Sequence, residues 1–226
     1  MKREKKKSFP KKIKKAKKAF YDRSLKSETW YQRLYNKVFW SQDVFENYDR
    51  KLLSKIPNDF KGKILDVPCG SGDFTYQKFS QLKNAEIHCL DYSEHMLNLY
   101  REKVKDRDHN IQFEQGDVTE LPYGRESFDM IFSLNGIHAF PNKERALSEI
   151  RRVLKVDGIF LGCTYIKGEH NRADFFIRRV YKDYGLFIQP LYNRQQLLQI
   201  LKRDYIVLRY EIHNSFAYFK VKKITQ

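Results

Sequence analysis

The stretch Ile64-Leu65-Asp66-Val67-Pro68-Cys69-Gly70-Ser71-Gly72-Asp73-Phe74 constrains this chain most: an apolar run ends in an acid and opens at once into a Gly-Ser-Gly turn. Such a pattern reads as a buried strand feeding a ligand loop. Gly70 and Gly72 have no Cβ, so the backbone can turn sharply there and let a nucleotide-like ligand lie against it. The helix that follows offers unpaired N–H groups. A second apolar run, Glu86-Ile87-His88-Cys89-Leu90, stops at Asp91, 21 residues past Gly70. A doubly wound sheet places a ribose-gripping carboxylate at that position.

The first acid separates the candidate ligands. A dinucleotide fingerprint wants glycine at position 75, where Thr75 stands. Asp66 would repel a diphosphate but suits a ligand carrying an ammonium group. S-adenosylmethionine carries both a ribose and an ammonium. A lone Gly-x-Gly is also an ordinary strand-to-helix turn, yet here the acids continue. Ile111–Val118 reads as a third strand ending at Asp117, followed by a Leu121-Pro122-Tyr123 break and a fourth strand over Phe128–Ser133. Other nucleotide and nucleophile chemistries fail on spacing. Cys69 and Asp73 occupy the positions where an esterase elbow around Ser71 needs glycine, and no P-loop lysine follows the turn.

The series LDVPCGSG, the strand ending in Asp91, GDVTELPY, FDMIFS and ALSEIRRVLKVDG spans about residues 60–165. With it the chain resembles the class I S-adenosylmethionine-dependent methyltransferases, and is most similar to the small-molecule branch that includes the ubiquinone and menaquinone C-methyltransferases. The resemblance implies an α/β fold: a Rossmann-like three-layer sandwich with a seven-stranded, mostly parallel sheet and a C-terminal antiparallel hairpin. It implies S-adenosyl-L-methionine as cofactor. Asp66, Pro68, Gly70 and Gly72 would face its methionine part, Asp91 the ribose, with Tyr92 and Met96 beside it, and Asp117 and Val118 the adenine. Ser133, Leu134 and Asn135 would lie near the reactive methyl. Pro68 departs from the family, which usually has glycine there. Proline has no N–H and a fixed φ, so a stiffer loop with cofactor binding retained is expected.

At 226 residues one domain with an ample core is the default. The divisions read as a basic tail over 1–20, a helical cap over 21–60, and a methyltransferase domain over 61–226 with a cap insertion near 168–192. Cys69, Cys89 and Cys163 show no paired spacing, which argues against a disulfide scaffold and a zinc site and reads as three small buried residues. No apolar run reaches bilayer-spanning length, and the chain's start lacks a secretory apolar segment. A soluble, cytoplasmic enzyme without a metal is expected.

Residues 1–20 hold eleven Lys or Arg against the single Glu4, leaving the other 206 residues a net +6 of the chain's +16. Phe9, Ile13, Ala16 and Phe20 would form one apolar stripe on a helix there. An anionic membrane surface fits this arm, nucleic acid less well, and a solvated arm that touches neither is the plain alternative. Trp30, Tyr31, Tyr35, Phe39 and Trp40 follow; they pack a helical cap or, at Tyr35 and Trp40, line a lid over the acceptor. His138, just past the fourth strand, stands where a base would face the acceptor or where a histidine would shape the pocket. The reading is methyl transfer to a small acceptor, aromatic or lipid-like. Its alternatives are a non-catalytic binding protein that docks on lipid or RNA, and an RNA-modifying methyltransferase.

Overall fold

A computed structural model describes residues 53–54, 56–105, 110–179 and 187–225. The basic arm and nearly all of the expected helical cap, Tyr35 and Trp40 included, lie outside the described residues.

Seven strands form one sheet: β1 (Gly62–Asp66), β2 (Ala85–Asp91), β3 (Ile111–Gln115), β4 (Phe128–Leu134), β5 (Leu154–Tyr165), β6 (Tyr205–His213) and β7 (Phe216–Lys223). Their spatial order is β3-β2-β1-β4-β5-β7-β6. The first five are parallel, and β7 runs antiparallel between β5 and β6. Parallel strands covered on both faces read as near-continuous apolar runs, and consecutive residues of β1 show why. Ile64 packs into one buried cluster with Phe79, Tyr100 and Phe132, whereas Leu65 packs into a second with Ile150, Phe160 and Phe219. The sheet is thus the middle of three layers.

The described helices are α1 (Tyr76–Phe79), α2 (Glu94–Val104), α3 (Lys143–Val153), α4 (Asn171–Arg179) and α5 (Arg194–Asp204). Local chemistry starts three of them. The side chains of Ser93, Asn142 and Asn193 accept the N–H of Met96, Arg145 and Gln196, and Gln196 answers Asn193 to complete a capping box. Each such cap contributes about 1 kcal/mol.

Between α3 and the main run of the fifth strand, Asp157-Gly158 lie in a bulge inside β5. Leu154 already pairs with Phe128, and Ile159 pairs with Met130. The surplus residues loop out with Asp157 at φ +61°, while Lys155 reaches Asp129 at 2.7 Å. The third strand ends at Gln115, earlier than expected, because Asp117 caps a 3-10 turn over Val118–Glu120.

Strand order reverses between β1 and β4: the chain builds outward through β2 and β3, then returns to the other side of β1. The crevice above the carboxyl ends of strands at such a reversal is where open α/β sheets bind ligands.

Candidate functional site

Two of the three acids expected at strand tips, Asp66 and Asp91, close adjacent strands beside that reversal and are buried, Asp66 at 1% exposure and Asp91 at 8%. Asp66 closes β1. Its Oδ2 accepts the Thr75 hydroxyl at 2.8 Å, and that hydroxyl meets the Tyr100 hydroxyl at 3.1 Å. Burial pushes the Asp66 carboxyl up to about 7, with the Thr75 hydrogen bond opposing and the charge of Asp91 adding to the rise. Asp91 closes β2 and joins two loops. Its Oδ2 accepts the Gly70 N–H at 2.9 Å and its Oδ1 the Ser93 N–H at 2.8 Å. Burial raises its pKa as well, partly offset by those amides.

The turn between these acids is shaped by close packing on one side and open space on the other. Gly72 has φ +72°, and a Cβ there would stand 2.5 Å from the Tyr100 ring; Gly70 has φ +54°, and its Cβ would meet nothing within 4 Å. Two substitutions should therefore behave differently. Gly72→Ala combines left-handed strain with overlap and should cost about 2–5 kcal/mol in denaturant unfolding. Gly70→Ala carries only the backbone strain, about 1 kcal/mol, while placing a methyl group where a ligand would lie. Lys103 of α2 latches the turn from outside, binding the Ser71 carbonyl at 2.8 Å and pairing with Asp73. Pro68 packs under the far wall, its Cδ 2.2 Å from where a Cβ of Gly136 would stand.

The other expected residues lie at the ends of β2 and β4 and in the segments that follow β2 and β3. Tyr92 is exposed and its carbonyl accepts Gln115 at 3.0 Å; Met96 is half-buried in the first turn of α2. Asp117 Oδ1 accepts both the N–H and the hydroxyl of Thr119, and Val118 is buried. At the tip of β4, Ser133 and Leu134 are buried, and Asn135 has φ +58°. Two polar atoms there, Ser133 Oγ and Asn135 Nδ2, are buried with no hydrogen-bond partner among the described residues. Buried polar groups are nearly always satisfied, so these two, with the open side of Gly70, fit a polar ligand.

His138 is buried beside β5. The Tyr165 amide donates to its Nδ1 at 3.1 Å, the Thr164 hydroxyl lies 3.2 Å from the same atom, and the Phe187 ring stacks on it at 4.9 Å. An amide can only donate, so Nδ1 carries the lone pair and Nε2 the hydrogen. Burial, with the charge of Lys143, drives the imidazole down to about 3. The ring is therefore a neutral histidine whose free lone pair is already committed to the backbone. His138→Phe would keep the stacking but leave the Tyr165 amide without its acceptor, an expected loss of about 1–3 kcal/mol in urea unfolding at pH 7.

Thr75, Tyr100 and Lys103 were not foreseen as parts of the site. Thr75 stands out in the sequence only as a missing glycine, and Tyr100 only as one of the apolar residues of α2. Thr164, Tyr165 and Phe187 likewise enter through tertiary packing alone.

An open parallel sheet with a glycine turn and buried acids at its point of reversal defines the nucleotide-type ligand site of the Rossmann-like class. A family described as a methyltransferase domain matches residues 64–158. The demethylmenaquinone methyltransferase of Listeria welshimeri is 32% identical over 164 residues, covering 69% of this chain and 69% of that protein. That of Staphylococcus saprophyticus is 29% identical over 165 residues, 73% of this chain and 68% of its own. An uncharacterized chloroplastic methyltransferase of Arabidopsis thaliana is 38% identical over 112 residues, 47% of this chain; the match spans only 32% of that relative's length. Among solved structures, a SAM-dependent methyltransferase from Methanosarcina mazei has a TM-score of 0.62 at 15% identity, covering 78% of this chain and 98% of that one. The [4+2]-cyclase SpnF gives 0.65 at 19% identity over 82% and 84%. At such identities the two structures share the fold. The chain belongs to the class I S-adenosylmethionine-dependent methyltransferases and is similar within them to the menaquinone enzymes.

Proposed function

We propose that this protein transfers the methyl group of S-adenosylmethionine to a small acceptor of quinone-like, lipid-soluble type. One observation carries the cofactor reading: Asp66 and Asp91 are buried at the tips of adjacent strands, and neither is in an ion pair among the described residues. Two carboxylates held this way favour a ligand that brings its own cation and hydroxyls. In this reading Asp66 takes the ammonium, Asp91 the ribose hydroxyls, and Asp117 with Val118 the adenine. Tyr92 and Met96 flank the nucleoside, the Pro68-to-Gly72 turn follows the methionine part, and Ser133, Leu134 and Asn135 border the methyl.

The bound sulfonium supplies a methyl group already activated for displacement. What remains for the chain is orientation and exclusion of water, and fixing two reactants in line is worth about 7 kcal/mol or more. His138 fits a positioning role here, since its Nδ1 is held by the Tyr165 amide. The quinone-like acceptor rests on the relatives named demethylmenaquinone methyltransferases.

The test is incubation of the full chain with methyl-labelled S-adenosylmethionine and, separately, a demethylated quinol, a total lipid extract, RNA and protein extract, each followed by mass spectrometry. Label in the quinol or lipid fraction is expected. Label confined to RNA or protein, or binding of the cofactor without transfer to any fraction, would overturn the acceptor reading.

A further inference from the structure

Lys143 is a buried cation without a counter-charge. It is the first residue of α3 after the Asn142 cap. Its ammonium donates to the carbonyls of Phe140 at 3.2 Å and Ile188 at 2.6 Å, and it is in no ion pair among the described residues. Burial lowers its pKa to about 8, which leaves the group mostly protonated at pH 7.

Two features make this placement costly. A charge taken out of water without a partner of opposite sign is expensive, and the first turn of a helix favours anions over cations. The two carbonyls offset part of that cost but carry no charge. A buried ammonium held this way favours a ligand that brings a negative charge, just as the buried carboxylates of Asp66 and Asp91 favour one that brings a cation.

The two kinds of charge lie on different sides. Asp66 and Asp91 close β1 and β2. Lys143 is joined instead to His138, which stands on the acceptor side in the reading above. The Ile188 amide donates to the His138 carbonyl at 2.9 Å, so residue 188 links the two, and the charge of Lys143 is felt at the imidazole. The polar groups nearby in the chain can also donate. His138 Nε2 carries a hydrogen, and Ser133 Oγ and Asn135 Nδ2 are buried with no partner among the described residues.

We propose that Lys143 selects an acceptor that binds as an anion: a phenol, enol or quinol that has already given its proton to solvent. This rests on the methyltransferase reading and narrows its acceptor to compounds with an acidic hydroxyl. An acceptor that arrives without its proton needs no base from the chain, in keeping with a His138 whose Nδ1 lone pair is committed to the Tyr165 amide.

The experiment reads binding rather than transfer. The full chain, saturated with S-adenosylhomocysteine, is titrated by calorimetry at pH 7 with hydroxynaphthoquinone, an anion at that pH, and with its neutral methoxy analogue. Dinitrophenolate and neutral dinitroanisole form a second pair on an unrelated ring. The anion of a pair that binds should bind about tenfold tighter or more than its neutral partner. Lys143→Met and Lys143→Gln, the second keeping an N–H donor, should each remove that preference. Affinity for the neutral compounds and for S-adenosylhomocysteine should stay unchanged, which reports an intact fold. Equal or weaker binding of the anions by the parent overturns the proposal whatever the variants do, and so does failure of all four compounds to bind. It is also overturned if anionic and neutral ligands weaken together in the variants, because Lys143 would then only pin the Ile188 segment. Dinitrophenolate preferred while neither naphthoquinone binds would uphold the selection of charge and refute the quinone-like acceptor; both naphthoquinones binding equally would do the reverse.

Discussion

Asp66→Asn should make the protein more resistant to denaturant at pH 8 while weakening S-adenosylmethionine binding by roughly 10–100-fold, the worth of one charge-assisted hydrogen bond. The two effects share one cause. Burial lifts the Asp66 carboxyl from 3.8 to about 7. Above that pH the folded protein carries a charge in a site closed to water, which the unfolded chain holds in solvent. A difference of about three pKa units corresponds to about 4 kcal/mol. An amide of the same shape removes that charge and still accepts the Thr75 hydroxyl. Its new N–H group needs an acceptor, so the realised gain should be about 1–3 kcal/mol. A destabilised variant, or one with unchanged affinity, would show that the carboxylate is not held under strain for a cation.

The pH dependence follows with opposite signs at two residues. The proton on Asp66 stabilises the fold fully below about 3.8, and this contribution is lost as pH rises to about 7. His138 behaves in reverse: its folded value lies near 3 against 6.5 unfolded, so its contribution is complete above 6.5 and lost as pH falls. Between pH 4 and 6.5 the two slopes oppose. In Asp66→Asn only the histidine slope remains, and stability should rise with pH by up to about 1.4 kcal/mol per unit. Urea unfolding at intervals across that range, parent against variant, measures it. The parent's affinity for S-adenosylmethionine should in turn fall about tenfold from pH 8 to pH 6 as Asp66 takes up its proton. The variant's affinity should not.

Much of the crevice was legible because Asp66 and Asp91 each end an apolar run, and an open sheet brings the ends of such runs to one edge. The glycines were legible for a similar reason: no other residue turns as easily at positive φ. What escaped the sequence depends on contacts between distant segments. Thr75 reaches Asp66 only because α2 sets Tyr100 beneath the loop, 25 residues away. The bulge in β5 exists because Leu154 finds Phe128 before the strand proper begins. The role of His138 turns on one amide of the neighbouring strand, which fixes its tautomer. From the sequence alone both a base and a pocket-shaping histidine were admissible.

Asp91→Ala should reduce S-adenosylhomocysteine affinity by a factor on the order of 10²–10⁴, because two charge-assisted hydrogen bonds of about 1.5–3 kcal/mol each disappear. The same change releases Gly70 and Ser93, whose amides now hold the two lips of the crevice together through Asp91. Adenosine separates this residue from Asp66, since it has the ribose but no ammonium. Calorimetry should find that Asp91→Ala loses both adenosine and S-adenosylhomocysteine, whereas Asp66→Asn loses the second and keeps the first. If Asp91→Ala still bound adenosine as the parent does, the carboxylate at the tip of β2 would be serving the loops alone, and the ribose would have to be held elsewhere along the crevice.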